Sequence, residues 1–595
     1  MYGPAPPRRQ KTHITRSRTG CRSCRERRKK CDEKKPACTS CVRLGRRCEP
    51  LTNKLAFRAV EFVSTGSGSR PGSQPHDPCS GTSNHSASSP SQNYTIPEKE
   101  APASSVSIPG DTYLPMKTMR ESGQRSFYLH VWEATCSPAL HSAFCQLGKS
   151  QHLPSVLTDA IMSLSACHIS RMLPQRKSFD PSGTPGLSFR PHLGHQTVSQ
   201  ELYGSAMLSL AKWCEFDDDA SFNIVLAAMT LFGYIESSMS NFQQFGSHSS
   251  GVERLLMSAT SHMARPNRLA AELLAGWMQA KAHNWWLRFH FSTPSFHRSS
   301  HSLVYQLWLL PLLGMVDSPQ ALVLSSLCEC YRLNSQTFIT QWEESNKISA
   351  SSGGGVRFQL ADDGESHGLP DVNGLSPAAQ LLDVQRKSLN DWHAHLPLSN
   401  LPIEAFSEAP SHHLPLDNTF KVQPLRFNSH NAAMNYAYYV VARIMLCTDF
   451  LESSQTSQKI DSWSFLLTRI AAGLDWRDCI NLNTYTVGFS GLLLACALRS
   501  RNIQISLWMQ DWLEQQYTAS CLEEGSFPIV QILQVLRAIN RERREGRDVF
   551  AIFQSVDDEG GIGKYDSYNS QHISSVLVYG RCRQTDEWFS RHISL

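Results

Sequence analysis

Six cysteines near the N-terminus constrain this 595-residue chain more than any other feature of its sequence. Their spacing is C-x2-C-x6-C-x6-C-x2-C-x6-C, a pattern that repeats after 17 residues: Cys21, Cys24, Cys31, Cys38, Cys41 and Cys48. Zinc prefers four ligands in a tetrahedron, so two ions need about eight ligand positions. Six thiolates supply them if one thiolate from each half bridges both metals. The spacing therefore predicts two Zn²⁺ per chain, with the bridging thiolates at equivalent places in the two halves.

The charges around these cysteines divide the chain into a cationic head and a mildly acidic remainder. Residues 1–50 hold 16 Lys and Arg against 4 Asp and Glu, a balance of +12. Residues 51–595 hold 41 against 48, a balance of −7. A cluster of positive charge in one part of the chain is typical of proteins that bind nucleic acids. A nucleic acid is therefore the expected partner of the head.

The cysteine segment resembles the fungal-type binuclear zinc cluster of transcription factors, cysteine for cysteine. The residues between the cysteines match as well: a basic run after Cys24, Cys31-Asp32, Lys35-Pro36 and Leu44-Gly45. The resemblance implies that Cys21 and Cys38 are the bridging ligands. It also implies that Pro36 occupies the family's loop position, where the two halves fold back on each other.

Each half of the cluster is predicted to be a short helix that begins at its C-x2-C, giving a two-helix module. A basic helix of this kind can enter the major groove, where Arg or Lys contacts guanine O6 and N7. By resemblance, the base-reading positions fall on Arg27 and Arg28 and the sites are CGG triplets in double-stranded DNA; contact with phosphate alone is the alternative. The basic residues of the second half are expected to hold the DNA backbone. The candidate DNA-contacting residues are Arg25, Arg27, Arg28, Lys29, Lys30, Arg43, Arg46 and Arg47.

Composition predicts the remaining boundaries. Residues 1–20 are rich in Pro and Arg, which indicates a disordered basic arm, and the zinc cluster occupies 21–50. Residues 51–115 are predicted to be a mostly disordered linker. After the short apolar segment 51–63, half of residues 64–115 are Ser, Pro or Gly, so they cannot bury enough apolar surface to offset the entropy of ordering. Sustained heptads do not follow the cluster. Monomeric DNA binding, or a homodimer formed through the C-terminal region, is therefore expected.

Residues 116–595 carry helical periodicity, with few alternating β-branched runs. We predict one large all-α domain of antiparallel helices in layers, with solenoid-like stacking as one form of it. The region more loosely resembles the helical regulatory domain that follows zinc clusters in fungal transcription factors. The stretches that carry this resemblance are 153–172, 242–256 and 489–513. The resemblance assigns no site residues.

The same region lacks the motifs of several common catalytic sites. It has no G-x-S-x-G elbow, no P-loop and no H-E-x-x-H motif. The histidines around Trp285 and the C-x-C at Cys328 are interpreted as core residues, and the run Arg541–Arg547 as a solvated helix end. An enzyme is therefore not predicted.

The start of the chain lacks the apolar segment of a signal peptide, and the longest apolar runs fall short of the ~20 residues that a membrane span needs. The twelve cysteines outside the cluster are scattered and are interpreted as reduced, buried thiols. We therefore expect a soluble nuclear protein that does not use a membrane.

These observations favour a zinc-dependent, sequence-specific regulator of RNA polymerase II transcription, whose helical body regulates or recruits the transcription machinery. The first alternative is a zinc-containing nuclear scaffold that does not read DNA, in which the cluster holds one zinc. The second makes the helical body a sensor of a small-molecule effector.

Overall fold

The structure is a computed structural model of the chain. It describes residues 24, 31–32, 34, 37–45, 48, 121–148, 153–172, 175–176, 189–190, 192–211, 219–262, 267–289, 292–300, 318–352, 377–403, 420–520, 524, 529–554 and 575–595. The chain divides into two compact units, Met1–Ser104 and Ser105–Leu595. The predicted arm at 1–20 and the whole of the predicted linker at 51–115 lie outside the described residues.

The first unit contains one described helix, α1 (Thr39–Arg43), in the second half of the cysteine repeat. It ends at Leu44, and Gly45 follows with φ +57°. Glycine adopts this left-handed conformation without steric cost, which explains the Leu44-Gly45 pair at the end of the helix. In the first half only Cys24 and a few later residues are described, and Cys24 is helical. The first helix of the predicted two-helix module therefore stays a prediction.

The second unit is built mainly of helices. The N-terminal set is α2 (Glu121–Val131), a π-helical turn (Trp132–Cys136), α3 (Ser137–Ala139), α4 (Ser142–Gly148), α5 (Ser155–Met172), α6 (Leu193–Leu210), α7 (Asp219–Ser238), α8 (Phe242–His262) and α9 (Arg268–Phe289). Two short strands, β1 (Gln175–Arg176) and β2 (Phe189–Arg190), pair in antiparallel fashion between α5 and α6.

The C-terminal set of helices follows. It comprises α10 (Pro294–Ser299), α11 (Pro319–Ser352), α12 (Pro377–Ala394), a 3-10 turn (Leu398–Asn400), α13 (His430–Met445), α14 (Ser454–Gly473), α15 (Trp476–Leu482), α16 (Phe489–Ala497), α17 (Ile503–Ser520) and α18 (Ile529–Arg544). Helix α11 extends to Ser352, into a stretch, 346–375, whose Gly and Ser residues predict a long loop. The helical periodicity predicted for residues 116–595 agrees with these helices.

Two apolar cores stabilise this unit, and α9 takes part in both. Trp277 and Met278 pack with the N-terminal helices, whereas Trp285, Trp286 and Phe289 belong to the core of the C-terminal helices. Burial on nearly all sides explains why α9 shows no clear amphipathic period. One continuous helix thus joins the two cores.

Among the described residues, one helix is long and apolar enough to cross a membrane. This is α7, and 78% of its apolar window is buried inside the protein. Its apolar side chains belong to the N-terminal core. The core helix of a folded domain passes the same test of length and composition, so α7 is weak support for a span.

The C-terminus corrects the prediction of an all-α domain. It forms a three-stranded antiparallel sheet from β3 (Arg547–Phe553), β4 (Ser575–Cys582) and β5 (Trp588–Ser594) in the order β3-β4-β5. The ladder has an irregularity between Val549 and Ala551. At Gly580 a Cβ would lie 2.1 Å from the carbonyl oxygen of Asp548, so the close approach of β3 and β4 requires glycine there.

The prediction of a solvated charge run at Arg541–Arg547 is confirmed only for Arg541, Arg544 and Glu545, which are exposed. Glu542 and Arg543 are buried, because α18 packs against β3 instead of ending in solvent. Arg547 Nε donates to Glu542 Oε2 at 2.7 Å. Arg543 donates through Nη2 to the carbonyl of Ala497, at the C-terminal end of α16. A cation at that end is favoured by the helix dipole.

Candidate metal centre

Helix α1 places two cysteines of the second half next to each other. Cys38 is the residue before the helix, and its carbonyl accepts from the backbone N–H of Cys41 and of Val42, each at 3.0 Å. Because of this first turn, the two thiols of a C-x2-C unit lie on one side of the helix start. Both side chains are buried, although the helix is only five residues long.

Cys24 from the first half joins this pair. Its Sγ lies 3.6 Å from the Sγ of Cys38, and the thiol sulfurs of Cys24, Cys38 and Cys41 all lie within 4.8 Å of one another. Sulfurs that share a tetrahedral zinc at a Zn–S distance of about 2.3 Å are about 3.8 Å apart. The three thiols therefore fit a zinc ion.

Cys38 also belongs to a second group. Its Sγ lies within 4.8 Å of the sulfur of Cys31 and of a carboxylate oxygen of Asp32. In addition, the N–H of Cys38 donates to the Sγ of Cys48 at 3.3 Å. Cys38 is thus shared by the group of Cys24 and Cys41 and by the group of Cys31 and Asp32. A thiolate that bridges two metal ions has to lie in such a shared position.

Five of the six predicted ligands therefore come together in the described part of the chain. Cys21, the other bridging ligand implied by the resemblance, lies outside it. Zinc ligation would keep these cysteines as thiolates and would supply the energy that folds the segment around them. The complete six-cysteine ligand set stays a prediction.

Asp32 has a role that the sequence did not reveal. Its carboxylate accepts from the backbone N–H of Thr39 at 3.1 and 3.3 Å and from the Thr39 hydroxyl. Cys38 supplies no side-chain cap for α1, so Asp32 caps this helix from the preceding loop. These hydrogen bonds, the side-chain bond first, lower the pKa of Asp32. The sequence signal was the acidic residue after the third cysteine, together with a threonine at the start of the next helix.

The structure describes one of the predicted DNA-contacting residues, Arg43, which is exposed in the last turn of α1. Val42 and Leu44 beside it are exposed apolar residues, with exposures of 66% and 42%. The other predicted contacts lie outside the described residues: Arg25, Arg27, Arg28, Lys29, Lys30, Arg46 and Arg47.

The geometry agrees with a comparison against protein families. Residues 19–56 match the fungal Zn(2)-Cys(6) binuclear cluster domain. The N-terminal segment is a binuclear zinc cluster domain. It binds two zinc ions, and its described cysteines are clustered as such a domain requires.

Curated relatives match over the same part of the chain. The transcription activator AMTR1 of Alternaria alternata is 60% identical over 49 residues, 8% of this chain and 6% of that protein. The transcriptional regulatory protein pro1 of Neurospora crassa is 63% identical over 41 residues, 7% of this chain and 6% of that protein. The transcriptional regulatory protein moc3 of Schizosaccharomyces pombe is 48% identical over 50 residues, which are 8% of this chain and 10% of that protein.

These relatives are fungal transcription regulators, and the chain spans at most 10% of their length. No solved structure matches the chain. The expected likeness of residues 116–595 to the helical domain of fungal transcription factors therefore stays a prediction.

Proposed function

We propose that this protein is a zinc-dependent, sequence-specific DNA-binding regulator of RNA polymerase II transcription. The observation that carries the proposal is the convergence of two cysteine groups on Cys38. It occurs inside a domain that also occurs in fungal transcription activators and regulators. The proposed ligands of the two zinc ions are Cys21, Cys24, Cys31, Cys38, Cys41 and Cys48.

DNA binding is proposed to use the cationic head. Arg27 and Arg28 contact the guanines of CGG-like triplets in the major groove, where Arg binds O6 and N7. The remaining basic residues of the cluster contact phosphates and fix the orientation of the domain. Because this contribution depends on counterion release, affinity should fall steeply as salt rises.

The helical body is proposed to regulate this binding or to recruit the transcription machinery in the nucleus. A homodimer through this body would set the spacing of paired triplets. The domain boundaries proposed for these roles are 1–20 for the basic arm, 21–50 for the cluster, 51–115 for the linker and 116–595 for the body.

A selection of random double-stranded oligonucleotides with the full-length protein tests the proposal. We expect enrichment of CGG-like triplets. Arg28→Ala should cost about 1–3 kcal/mol and relax the preference at one base. Arg43→Ala is the matched control, because loss of a phosphate contact should weaken all sequences alike.

Two results would contradict the proposal. One is a selection that enriches no sequence, and the other is a preference unchanged by Arg27→Ala, Arg28→Ala and their combination. Metal analysis of the same preparation separates the alternatives. Two zinc ions per chain agree with the DNA-reading cluster, whereas one would favour a scaffold.

A further inference from the structure

The two edges of the C-terminal sheet differ in what covers them. The strand order is β3-β4-β5, so β3 and β5 are the edge strands. At β3 the helical core occupies the edge: the carbonyl of Phe550 accepts from Arg499 Nη1 at 2.6 Å, and the N–H of Gln554 donates to the carbonyl of Ser292 at 3.1 Å. The edge at β3 is therefore closed to a further strand.

The hydrogen bonds of the β4-β5 hairpin show which groups of β5 point outward. The N–H of Cys582 donates to the carbonyl of Glu587 at 2.9 Å, and facing residues of an antiparallel pair alternate between bonded and non-bonded. Every second residue of β5, starting at Phe589, is therefore bonded to β4. The residues of β5 between them, whose backbone groups point away from β4, include Trp588, Ser590 and His592.

Trp588 and Ser590 form the open part of this edge. Among the described residues, none forms a hydrogen bond with the outward N–H or C=O of either. Further along the strand, the carbonyl of Ser594 accepts from Arg541 Nη2 at 3.3 Å, so that end of the edge is occupied. The stretch available for pairing is therefore centred on residues 588–590.

β5 also lacks the features that usually keep a sheet edge from pairing. Edge strands of folded proteins are commonly very short or carry Lys, Pro or a bulge. β5 is seven residues long, contains neither Lys nor Pro, and pairs with β4 in an unbroken register. The charge of Arg591 is balanced by an ion pair with Glu542. An edge of this kind favours the addition of another strand.

The charges along the edge favour a second copy of this chain as the added strand. With Phe589 on the twofold axis of an antiparallel pair, the outward groups of Trp588 lie opposite those of Ser590 of the copy. Glu587, which is exposed and forms no ion pair with the described residues, then lies opposite Arg591 of the copy. An axis at Ser590 loses this charge pair, and an axis at Arg591 sets two arginines opposite each other.

We propose that the open edge of β5 is a homodimer interface, in which the β5 strands of two copies pair in antiparallel fashion across Phe589. The two three-stranded sheets then form one continuous sheet. This interface gives a location to the homodimer proposed above, so its use in spacing DNA triplets rests on the proposed function. The pairing itself does not require DNA.

Analytical ultracentrifugation of the full-length protein without DNA tests the interface. We expect the wild type to be dimeric at about 10 μM. Ser590→Pro removes an outward N–H and leaves the bonds to β4 in place, so it should raise the Kd of the dimer at least about tenfold. Ser590→Ala, the matched control, keeps that N–H and should leave the Kd unchanged.

Cysteine substitutions test the register. Facing residues of a non-bonded antiparallel pair have Cα atoms about 4.5 Å apart, within the range of a disulfide. Phe589→Cys, on the proposed axis, should therefore cross-link two copies in the presence of oxidised glutathione. Ser590→Cys is the control, because its Cα atoms in the two copies are diagonal neighbours about 7–8 Å apart. A non-reducing gel compares both variants with the wild type.

A wild type that is monomeric at about 100 μM overturns the proposal and leaves the edge to a strand of another protein. Dimerisation of folded Ser590→Pro with the wild-type Kd also overturns it, as does cross-linking of Ser590→Cys as readily as Phe589→Cys. Circular dichroism verifies that each variant is folded. No readout includes DNA, so failure here leaves the DNA-binding proposal standing, and a failed DNA selection leaves dimerisation unaffected.

Discussion

At the scale of single residues, Glu236 shows how burial changes the chemistry of a side chain. It lies on α7 with 3% exposure and accepts from Asn241 Nδ2 at 2.8 Å. The neighbouring Tyr203 hydroxyl is 2.6 Å from His248 Nε2. Burial, only partly opposed by hydrogen bonds from Tyr203 and Asn241, raises the pKa of Glu236 to about 7. Burial also lowers the pKa of His248 to about 4, so this histidine is neutral near pH 7.

The raised pKa predicts a pH-dependent effect of Glu236→Gln. Because the folded-state pKa exceeds the ordinary value of 4.5, the stability gained from the bound proton is full below about pH 4.5 and is lost as the pH rises through about 7. The glutamine variant avoids this loss. It should be close to the wild type in stability near pH 4 and more stable by up to about 3 kcal/mol near pH 8. Thermal denaturation across this pH range measures the difference.

The matched control is Glu272→Gln, which removes a partly exposed carboxylate paired with Arg268 at 3.0 Å. Its stability difference from the wild type should change little over the same pH range. His248 is present in both the wild type and Glu236→Gln, so its titration cancels when the two are compared. A Glu236→Gln difference that is constant with pH would show that the buried carboxyl does not titrate in this range.

At the scale of elements, α16 shows how a helix buried along its whole length begins. All its residues from Phe489 to Ala497 are buried, and the residue before it, Gly488, offers no side chain as a cap. Glu524 supplies the acceptors instead, at 2.5 Å from the N–H of Phe489 and 2.7 Å from that of Ser490. A Cβ on Gly488 would lie 2.9 Å from Glu524 Cδ, so glycine permits this approach.

Removal of this distant cap should destabilise the C-terminal core. Glu524→Ala leaves two buried backbone N–H groups and the Asn483 side-chain amide without this acceptor, which we expect to cost at least about 3 kcal/mol. Glu524→Gln keeps an acceptor oxygen and should cost less. Glu514→Ala, which removes a partly exposed carboxylate paired with Arg537 at 2.7 Å, is the control. Thermal melting that ranks Glu524→Ala no lower than Glu514→Ala would exclude the capping role.

At the scale of the whole molecule, the two units are stabilised by different means. The described core of the first unit consists of cysteines, with Cys48 packed against Cys24, Cys31, Cys38 and Cys41. So small a cluster cannot supply the burial that folding needs, and metal binding must contribute it. The second unit has two large apolar cores and needs no metal for its burial.

Zinc removal should therefore act on one unit alone. A chelator should release two zinc ions per chain, abolish DNA binding and make residues 21–48 sensitive to protease, while the helical signal in circular dichroism persists. Added zinc should restore binding. DNA affinity that survives metal loss, or collapse of the helical body with it, would contradict this division of the molecule.

Part of this protein follows from sequence because the signals are local. The cysteine spacing predicts a binuclear zinc cluster, since thiols a few residues apart are brought together by a single helical turn, as those of Cys38 and Cys41 are at the start of α1. The periodicity of apolar residues likewise predicts most helices, because a helix with one buried face shows its own repeat, whereas α9, buried on nearly all sides, does not.

Only the tertiary structure shows the C-terminal sheet and the buried charged residues. Contacts between residues far apart in the chain leave no periodic pattern in the local sequence. The sheet at 547–594 depends on strands that are stable only when paired with one another, and Gly580 is explained only by the carbonyl of Asp548 across the ladder. The burial of Glu524 depends on N–H groups 34 and 35 residues away, and that of Arg499 on a carbonyl 51 residues away. A charged residue resembles a surface residue in the sequence until its distant partners are in place.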